Sequence, residues 1–301
     1  MIEQRRFLGL DVGGTDIKAG ILDSAGGYQR GESRATWLKQ GKSGFLDALA
    51  EQAEAYGEVH GIGLGVPGVF QTGTGILQRS NNLRMLEGAD LIAGLAQRLG
   101  RAPDSIRIGN DANMAAFGEQ GFGGGRGQDD LLLVTLGTGV GGGVVLGGKL
   151  VTGPGGKAGE VGHLMIQPKA LGGKPCTCGS FGCLETMTSA TSALARAREA
   201  KLDGSLEEIC ERARSAPGPE RDLMHAIGRD LGSGLSLAVS LLDINLFLVG
   251  GGFGAALDLL RPGALETLAE RSYGNDPARL QPAELGNDAG WIGAARMASL
   301  G

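Results

Sequence analysis

Short apolar runs that stop at glycine alternate along this chain with stretches of helical spacing. Phe7–Asp11 is apolar and ends at Gly13-Gly14-Thr15, and Ile17–Leu22 follows as a second apolar run. Strand, glycine turn, strand is the prediction: a β-hairpin whose turn exposes backbone N–H groups. Helical spacing covers Gly44–Tyr56 and Asp90–Leu99. Strands are predicted at Val59–Val66, ending in Pro67-Gly68, and at Ser105–Gly109, running into Asn110-Asp111. Asp111 is a candidate cap for a helix over Ala112–Glu119. After Gly121–Gly127 the pattern restarts: Leu131–Leu136, the turn Gly137-Thr138-Gly139, then Val140–Leu146. A strand–glycine turn–strand unit that occurs twice suggests two related lobes. Leu150–Glu185 reads as loop. Beyond it come helices at Thr188–Lys201, Ser205–Ala213 and Pro219–Leu242, and a strand at Leu246–Val249 that ends in Gly250-Gly251-Gly252. The last helices are expected at Phe253–Leu260 and Ala289–Leu300. This alternation is that of an α/β protein. The expected lobes are residues 1–120, with the helix at 289–301 packing back on them, and residues 121–288.

Composition narrows the function classes. The 28 basic and 33 acidic residues leave a net charge of −5, which gives no footprint for nucleic acid or an anionic membrane. No apolar run is long enough for a signal peptide or a membrane span, so a soluble cytoplasmic protein is the expectation. The 57 glycines follow no collagen-like period and sit beside apolar runs. They suggest tight turns and backbone that approaches a ligand closely.

Three of the four cysteines, Cys176, Cys178 and Cys183, fall within eight residues, and His163 lies just upstream. Three thiolates and an imidazole complete a tetrahedral zinc site, and a site with four protein ligands is structural rather than catalytic. Unrelated buried thiols are the competing reading. Glu160 and Glu185 flank the cluster, so a metal there would hold two carboxylates in a pocket wall. The lone Cys210 reads as a small buried residue.

The glycine turns carry the other candidate chemistry. In Asp11-Val12-Gly13-Gly14-Thr15, converging N–H groups and the Thr15 hydroxyl suit a phosphate, and Asp11 could hold a water on nucleotide-bound Mg²⁺. An ordinary glycine hairpin is the alternative. The Gly-x4-Gly-Lys-Ser/Thr spacing of a P-loop is absent. Gly137-Thr138-Gly139 repeats the same logic. Asp111, at a strand-to-helix junction, could take a proton from a substrate hydroxyl as it attacks phosphorus, or be a plain N-cap. Gly250-Gly251-Gly252 could receive a flat ring or ribose, or simply turn the chain.

Taken in order, these motifs resemble the ROK family, the bacterial sugar kinases of the hexokinase/actin-type ATPase superfamily. The likeness runs from Leu8 to about Phe253 and is densest in Ala158-Gly159-Glu160-Val161-Gly162-His163 and Cys176-Thr177-Cys178-Gly179-Ser180-Phe181-Gly182-Cys183-Leu184-Glu185. It is strongest to the zinc-containing glucokinase branch. The resemblance implies a two-lobed actin-like ATPase/hexokinase (ribonuclease H-like) fold with an inter-lobe cleft. It implies an ATP-dependent hexose kinase acting on a 6-hydroxyl, with Mg²⁺ accompanying ATP and structural Zn²⁺. Glucose is the expected sugar, and N-acetylglucosamine, N-acetylmannosamine or another hexose the alternative. A non-catalytic sugar-sensing regulator is the reading from another class. By resemblance, Asp111 is the general base, and Asn82, Asn110, Glu160, His163 and Glu185 bond the sugar. Asp11, Gly13, Gly14, Thr15, Gly137, Thr138 and Gly139 contact phosphates, and Gly250, Gly251 and Gly252 lie near the adenosine. His163 has one ring nitrogen on zinc and the other toward sugar. A homodimer or dimer of dimers is implied, with no nucleic-acid or membrane partner. The chain departs from the family at Asp16, at Arg84-Met85-Leu86 and at Met187. The last two bear on which sugar is taken.

Overall fold

The computed structural model describes residues 4–36, 41–273 and 277–300; Gly301, at the end of the expected last helix, lies outside them. In chain order the strands are β1 (Arg6–Val12), β2 (Asp16–Asp23), β3 (Tyr28–Arg30), β4 (Arg34–Ala35), β5 (Gly61–Val66), β6 (Val69–Phe70), β7 (Leu77–Arg79), β8 (Ile106–Asn110), β9 (Leu131–Leu136), β10 (Val140–Leu146), β11 (Lys149–Val151), β12 (Leu246–Gly250) and β13 (Arg279–Pro282). The helices are α1 (Gly41–Glu54), α2 (Leu91–Leu99), α3 (Asp111–Phe122), α4 (Glu185–Thr188), α5 (Ala190–Glu199), α6 (Leu206–Ser215), α7 (Pro219–Leu242), α8 (Leu257–Arg271) and α9 (Ala289–Ser299).

Two sheets share one strand order. The first runs β3-β2-β1-β5-β8, with β4 pairing β2, and the second runs β11-β10-β9-β12-β13. In the first, β1 pairs β2 antiparallel and β5 parallel, and β5 pairs β8 parallel. In the second, β12 lies parallel to both β9 and β13. The repeated glycine hairpin in the sequence therefore marks a repeated sheet.

The described chain forms two compact units. One comprises residues 1–129, 143–158 and 285–301, the other residues 130–142 and 159–284. The expected boundary near Gly121–Gly127 lies inside the first unit, and residues 143–158 also group with that unit.

In the first unit, β1 is covered on both faces, which is why it reads as a continuous apolar run. Leu8 and Leu10 point into a core with Phe45 and Leu49 of α1 and Leu95 of α2. Phe7 points the other way, to Ala295 and Ala298 of α9. Glycines admit α9 to that face: a Cβ at Gly9 would overlap the Trp291 carbonyl, and one at Gly63 the Ala294 carbonyl. Gly9 and Gly63 thus serve close helix–sheet approach.

The second unit packs α7 on α8 in the same way. A Cβ at Gly228 would strike the Leu260 carbonyl, and one at Gly263 the His225 carbonyl. The helix expected to end at Leu260 is instead a 3-10 turn, Phe253–Ala256, followed by α8, which continues through Pro262. Burial of Leu257, Leu260, Ala264 and Leu268 outweighs the one hydrogen bond that proline removes. The single helix expected over Thr188–Lys201 is divided at Ser189, whose hydroxyl accepts from Ser192 N and caps α5. The short strands β3, β4, β6, β7, β11 and β13 have two to four residues each, too few for an alternating pattern.

Among the described residues no helix is long and apolar enough to cross a membrane.

Candidate functional site

The first group of candidate residues lies in the first unit, at the ends of β1 and β8. β1 delivers Asp11, and the turn Gly13–Thr15 follows. The turn is closed by Gly13 N donating to Asp16 O at 2.7 Å. Thr36 straps it: its N–H donates to Thr15 O at 2.9 Å and its hydroxyl to Gly13 O at 3.0 Å. In a trans peptide the carbonyl and the next N–H point in opposite directions. Holding those two carbonyls toward Thr36 turns the N–H groups of Gly14 and Asp16 away from it. Asp16, noted as a departure from the family, takes the Thr15 hydroxyl on its carboxylate at 3.3 Å.

β8 delivers Asn110 and Asp111. The expected cap is corrected here. Asn110 is the N-cap of α3, its side-chain oxygen accepting from Ala112 N at 2.9 Å and Asn113 N at 3.1 Å, and Asp111 is the first helical residue. Asn fits the N-cap because its carbonyl reaches two orphan N–H groups while its amide donates elsewhere. That amide goes to Gly68 O at 3.2 Å.

Burial and the nearby Asp111 charge push the Asp11 carboxyl up to about 7, against an ordinary 3.8, and Lys18 opposes them. Lys18 Nζ stands 3.9 Å from Asp11 Oδ2. Gly290 makes room for the carboxylate: a Cβ there would lie 2.5 Å from Asp11 Cγ. Asn82 is exposed, on the segment before a 3-10 turn at Arg84–Leu86.

The second group lies in the second unit. The turn Gly137–Gly139 joins β9 to β10, with Gly137 N donating to Gly139 O at 2.9 Å. Here α5 does what Thr36 does in the first turn. Ala190 N donates to Gly137 O and the Thr191 hydroxyl to Thr138 O, both at 2.8 Å. The N–H groups of Thr138 and Gly139 are thereby turned away from α5. Gly251, with φ +81, lies so near the Leu136 carbonyl that no Cβ fits, so Gly250–Gly252 adjoins this turn. Glu185 reaches the turn as well. Its Oε2 accepts from Val140 N at 3.1 Å, and a Cβ at Gly139 would lie 2.5 Å from that oxygen. Glu160 precedes the 3-10 turn Val161–His163, and its carbonyl accepts from His163 N at 3.0 Å.

Among the described residues, His163, Cys176, Cys178 and Cys183 form a metal-competent group, with all ligand atoms within 4.8 Å of one another. Cys176 Sγ is 3.6 Å from His163 Nδ1, and Cys178 Sγ is 3.7 Å from Cys183 Sγ. Around a tetrahedral zinc, bond lengths of about 2.3 Å to sulfur and about 2.0 Å to nitrogen make the sulfur–nitrogen edge about 3.5 Å and the sulfur–sulfur edge about 3.8 Å. The spacing fits a shared cation and is far too long for a disulfide. Burial and the adjacent Cys176 and Cys178 push the Cys183 thiol up to about 12; a divalent cation reverses that preference. Glu185 Oε1 lies 3.9 Å from Cys176 Sγ, so one carboxylate touches both the cluster and the glycine turn.

Sequence reasoning missed Thr36, Thr191 and Gly290. Each acts through a partner distant in the chain, and none belongs to a motif. No local signal in the sequence marks them.

Two sheets of like strand order, each with a glycine hairpin between its first antiparallel strands, define a mixed α/β protein of the actin-like ATPase class. The chain belongs to the ROK family, whose sequence model matches residues 7–300. It is 32% identical to a glucokinase of Halalkalibacterium halodurans, covering 97% of this chain and 94% of the relative. It is also 32% identical to an N-acetylmannosamine kinase of Escherichia coli, covering 97% of each. Among solved structures, a ROK family glucokinase from Streptomyces griseus in complex with glucose and AMPPNP superposes with a TM-score of 0.80 at 32% identity, covering 98% of this chain and 100% of that one.

Proposed function

We propose that this chain is an ATP-dependent hexose kinase that transfers the γ-phosphoryl group of ATP to the 6-hydroxyl of glucose. The observation that carries the reading is the pairing of Asp111, at the first residue of an Asn110-capped helix, with Asp11, whose carboxyl feels the Asp111 charge. The likeness to sugar kinases over nearly the whole chain supports it.

In this mechanism Asp111 is the general base. It takes the proton of the sugar 6-hydroxyl as that oxygen bonds to the γ-phosphorus, and the bond from phosphorus to the β,γ-bridging oxygen breaks to release ADP. Mg²⁺ carried with ATP supplies neutralising charge for the phosphates. Asp11 is the residue for its hydration shell. The outward N–H groups of the turns at Gly13–Thr15 and Gly137–Gly139 act as fixed donors to phosphate oxygens, which cost no reorganisation during reaction. Gly250–Gly252 receives the nucleoside. Asn82, Asn110, Glu160, His163 and Glu185 bond sugar hydroxyls. His163, Cys176, Cys178 and Cys183 are the residues that would hold a structural zinc; with one ring nitrogen so held, the His163 ring would be fixed with its other nitrogen free to serve the sugar, and Cys176 would steady Glu185.

The identity to the N-acetylmannosamine kinase supports a second reading, in which that sugar is the substrate. A coupled ADP-release assay with ATP-Mg²⁺ tests both. It would use glucose, mannose, fructose, allose, N-acetylglucosamine and N-acetylmannosamine, with Asp111→Asn as the blank. Turnover of glucose that the blank loses is expected. Turnover confined to N-acetylmannosamine would select the second reading. No turnover on any sugar by folded, metal-replete protein would favour a sugar-sensing regulator.

A further inference from the structure

We infer that Ser80 and Glu87 are positioning residues that hold the Asn82 segment in register with Asn110-Asp111 and thereby set sugar affinity and selectivity. The inference rests on the sugar-kinase reading above.

Ser80 is 3% exposed and makes three hydrogen bonds. Its hydroxyl donates to Pro67 O at 2.7 Å and accepts from Leu83 N at 3.0 Å. Its own N–H donates to Glu87 Oε1 at 2.9 Å. The next residue after Pro67 is Gly68, whose carbonyl accepts the Asn110 side-chain amide at 3.2 Å. A hydrogen-bonded path thus runs from the cap of the base-bearing helix, through Pro67-Gly68, to both ends of the segment Ser80–Leu83 that carries Asn82. Gly68 sits with φ +139, and a Cβ there would lie 2.5 Å from Arg79 O and 2.7 Å from Leu77 Cδ1, so the two segments lie in close contact.

Leu83 and Leu86 are fully buried and plug the segment into the core, while Asn82 remains exposed. Apolar plugs are non-directional. Backbone hydrogen bonds from Leu86 N to Leu83 O and from Gly88 N to Leu77 O fold the stretch after Asn82, and the side-chain constraints on the Asn82 segment come from Ser80 and, seven residues on, from Glu87. That carboxylate closes the loop across Arg84-Met85-Leu86, the stretch that departs from the family pattern. The chain therefore uses a side-chain clamp to set this rim.

The test compares Ser80→Ala, Glu87→Ala and Glu87→Gln with wild type in steady-state kinetics on glucose and N-acetylmannosamine, and in thermal unfolding. Glu87→Ala and Ser80→Ala should raise KM for the preferred sugar on the order of 10- to 100-fold, because small misplacements of a binding group cost that much. KM for ATP should stay within about twofold, and the ratio of the two sugars should change. Glu87→Gln should restore wild-type KM, since the amide oxygen still accepts the Ser80 N–H. If Ser80→Ala does not fold, the two Glu87 variants decide alone. An unchanged sugar KM in Glu87→Ala, with or without a lower Tm, overturns the inference while the kinase reading stands; so does an equal rise for sugar and ATP. Absence of sugar turnover by wild type removes the kinase reading and this inference with it.

Discussion

Replacing Asp11 by Asn should stabilise the nucleotide-free protein at alkaline pH and do little at acid pH. The carboxyl is mostly removed from water, 17% exposed, and faces the Asp111 charge, so it keeps its proton to about pH 7 in the folded chain against an ordinary 3.8. The folded value lies above the unfolded one. Below about 3.8 both states are protonated and the group is neutral in its effect. Between 3.8 and about 7 the unfolded chain ionises while the folded chain resists, so stability falls as pH rises. Above 7 the whole difference has been lost. At about 1.36 kcal/mol per pH unit the interval amounts to about 4 kcal/mol at most. Asn has nearly the same shape and no charge, so it removes this penalty. At about 2 °C per kcal/mol for a chain of this length, the variant should gain up to about 8 °C over wild type at pH 8, and close to nothing at pH 4. Calorimetry of both proteins from pH 4 to pH 8, without Mg²⁺ or nucleotide, measures it. A difference in Tm that does not change with pH would refute the reasoning. So would a variant that is less stable at pH 8, which would mean that the Lys18 pair outweighs burial.

Three other perturbations follow from the geometry. Cys178→Ser should lose bound zinc, read by elemental analysis, and lower Tm by several degrees, since a closed site contributes folding energy; unchanged metal content would rule the site out. Gly290→Ala places a Cβ 2.5 Å from Asp11 Cγ and should lower kcat on the order of tenfold or more, although alanine favours a helix; unaltered kcat would show that Asp11 need not occupy its observed seat. Glu119 is fully buried, its Oε1 accepting from Leu285 N at 2.8 Å and its Oε2 from Gly124 N at 2.9 Å. Glu119→Gln sets an N–H donor against one of those donors and should destabilise by about 1–3 kcal/mol in denaturant unfolding; an unchanged midpoint would contradict it.

Periodicity was sufficient for the long elements. β1, β5, β9 and β12 lie inside their sheets, where burial on both faces demands unbroken apolar runs, and such runs are visible without a structure. The Cys/His cluster was equally legible, because His163 and the three cysteines lie close in sequence and thiolates are rarely bunched without a cation. The cap of α3 was not. Asn110 and Asp111 are both good N-caps, and adjacency in sequence does not say which side chain reaches Ala112 and Asn113. Nor were the straps. Thr36 and Gly13 are twenty-three residues apart, Thr191 and Thr138 fifty-three, and Gly290 meets Asp11 from the far end of the chain. By itself the sequence determined which backbone could turn, which faces must be buried and which residue types could do the chemistry, since these follow from local sterics and side-chain chemistry. The direction of each N–H group, the seat of Asp11 and the clamp on Asn82 were decided by tertiary structure, because each depends on hydrogen bonds and close contacts between segments that only folding brings together.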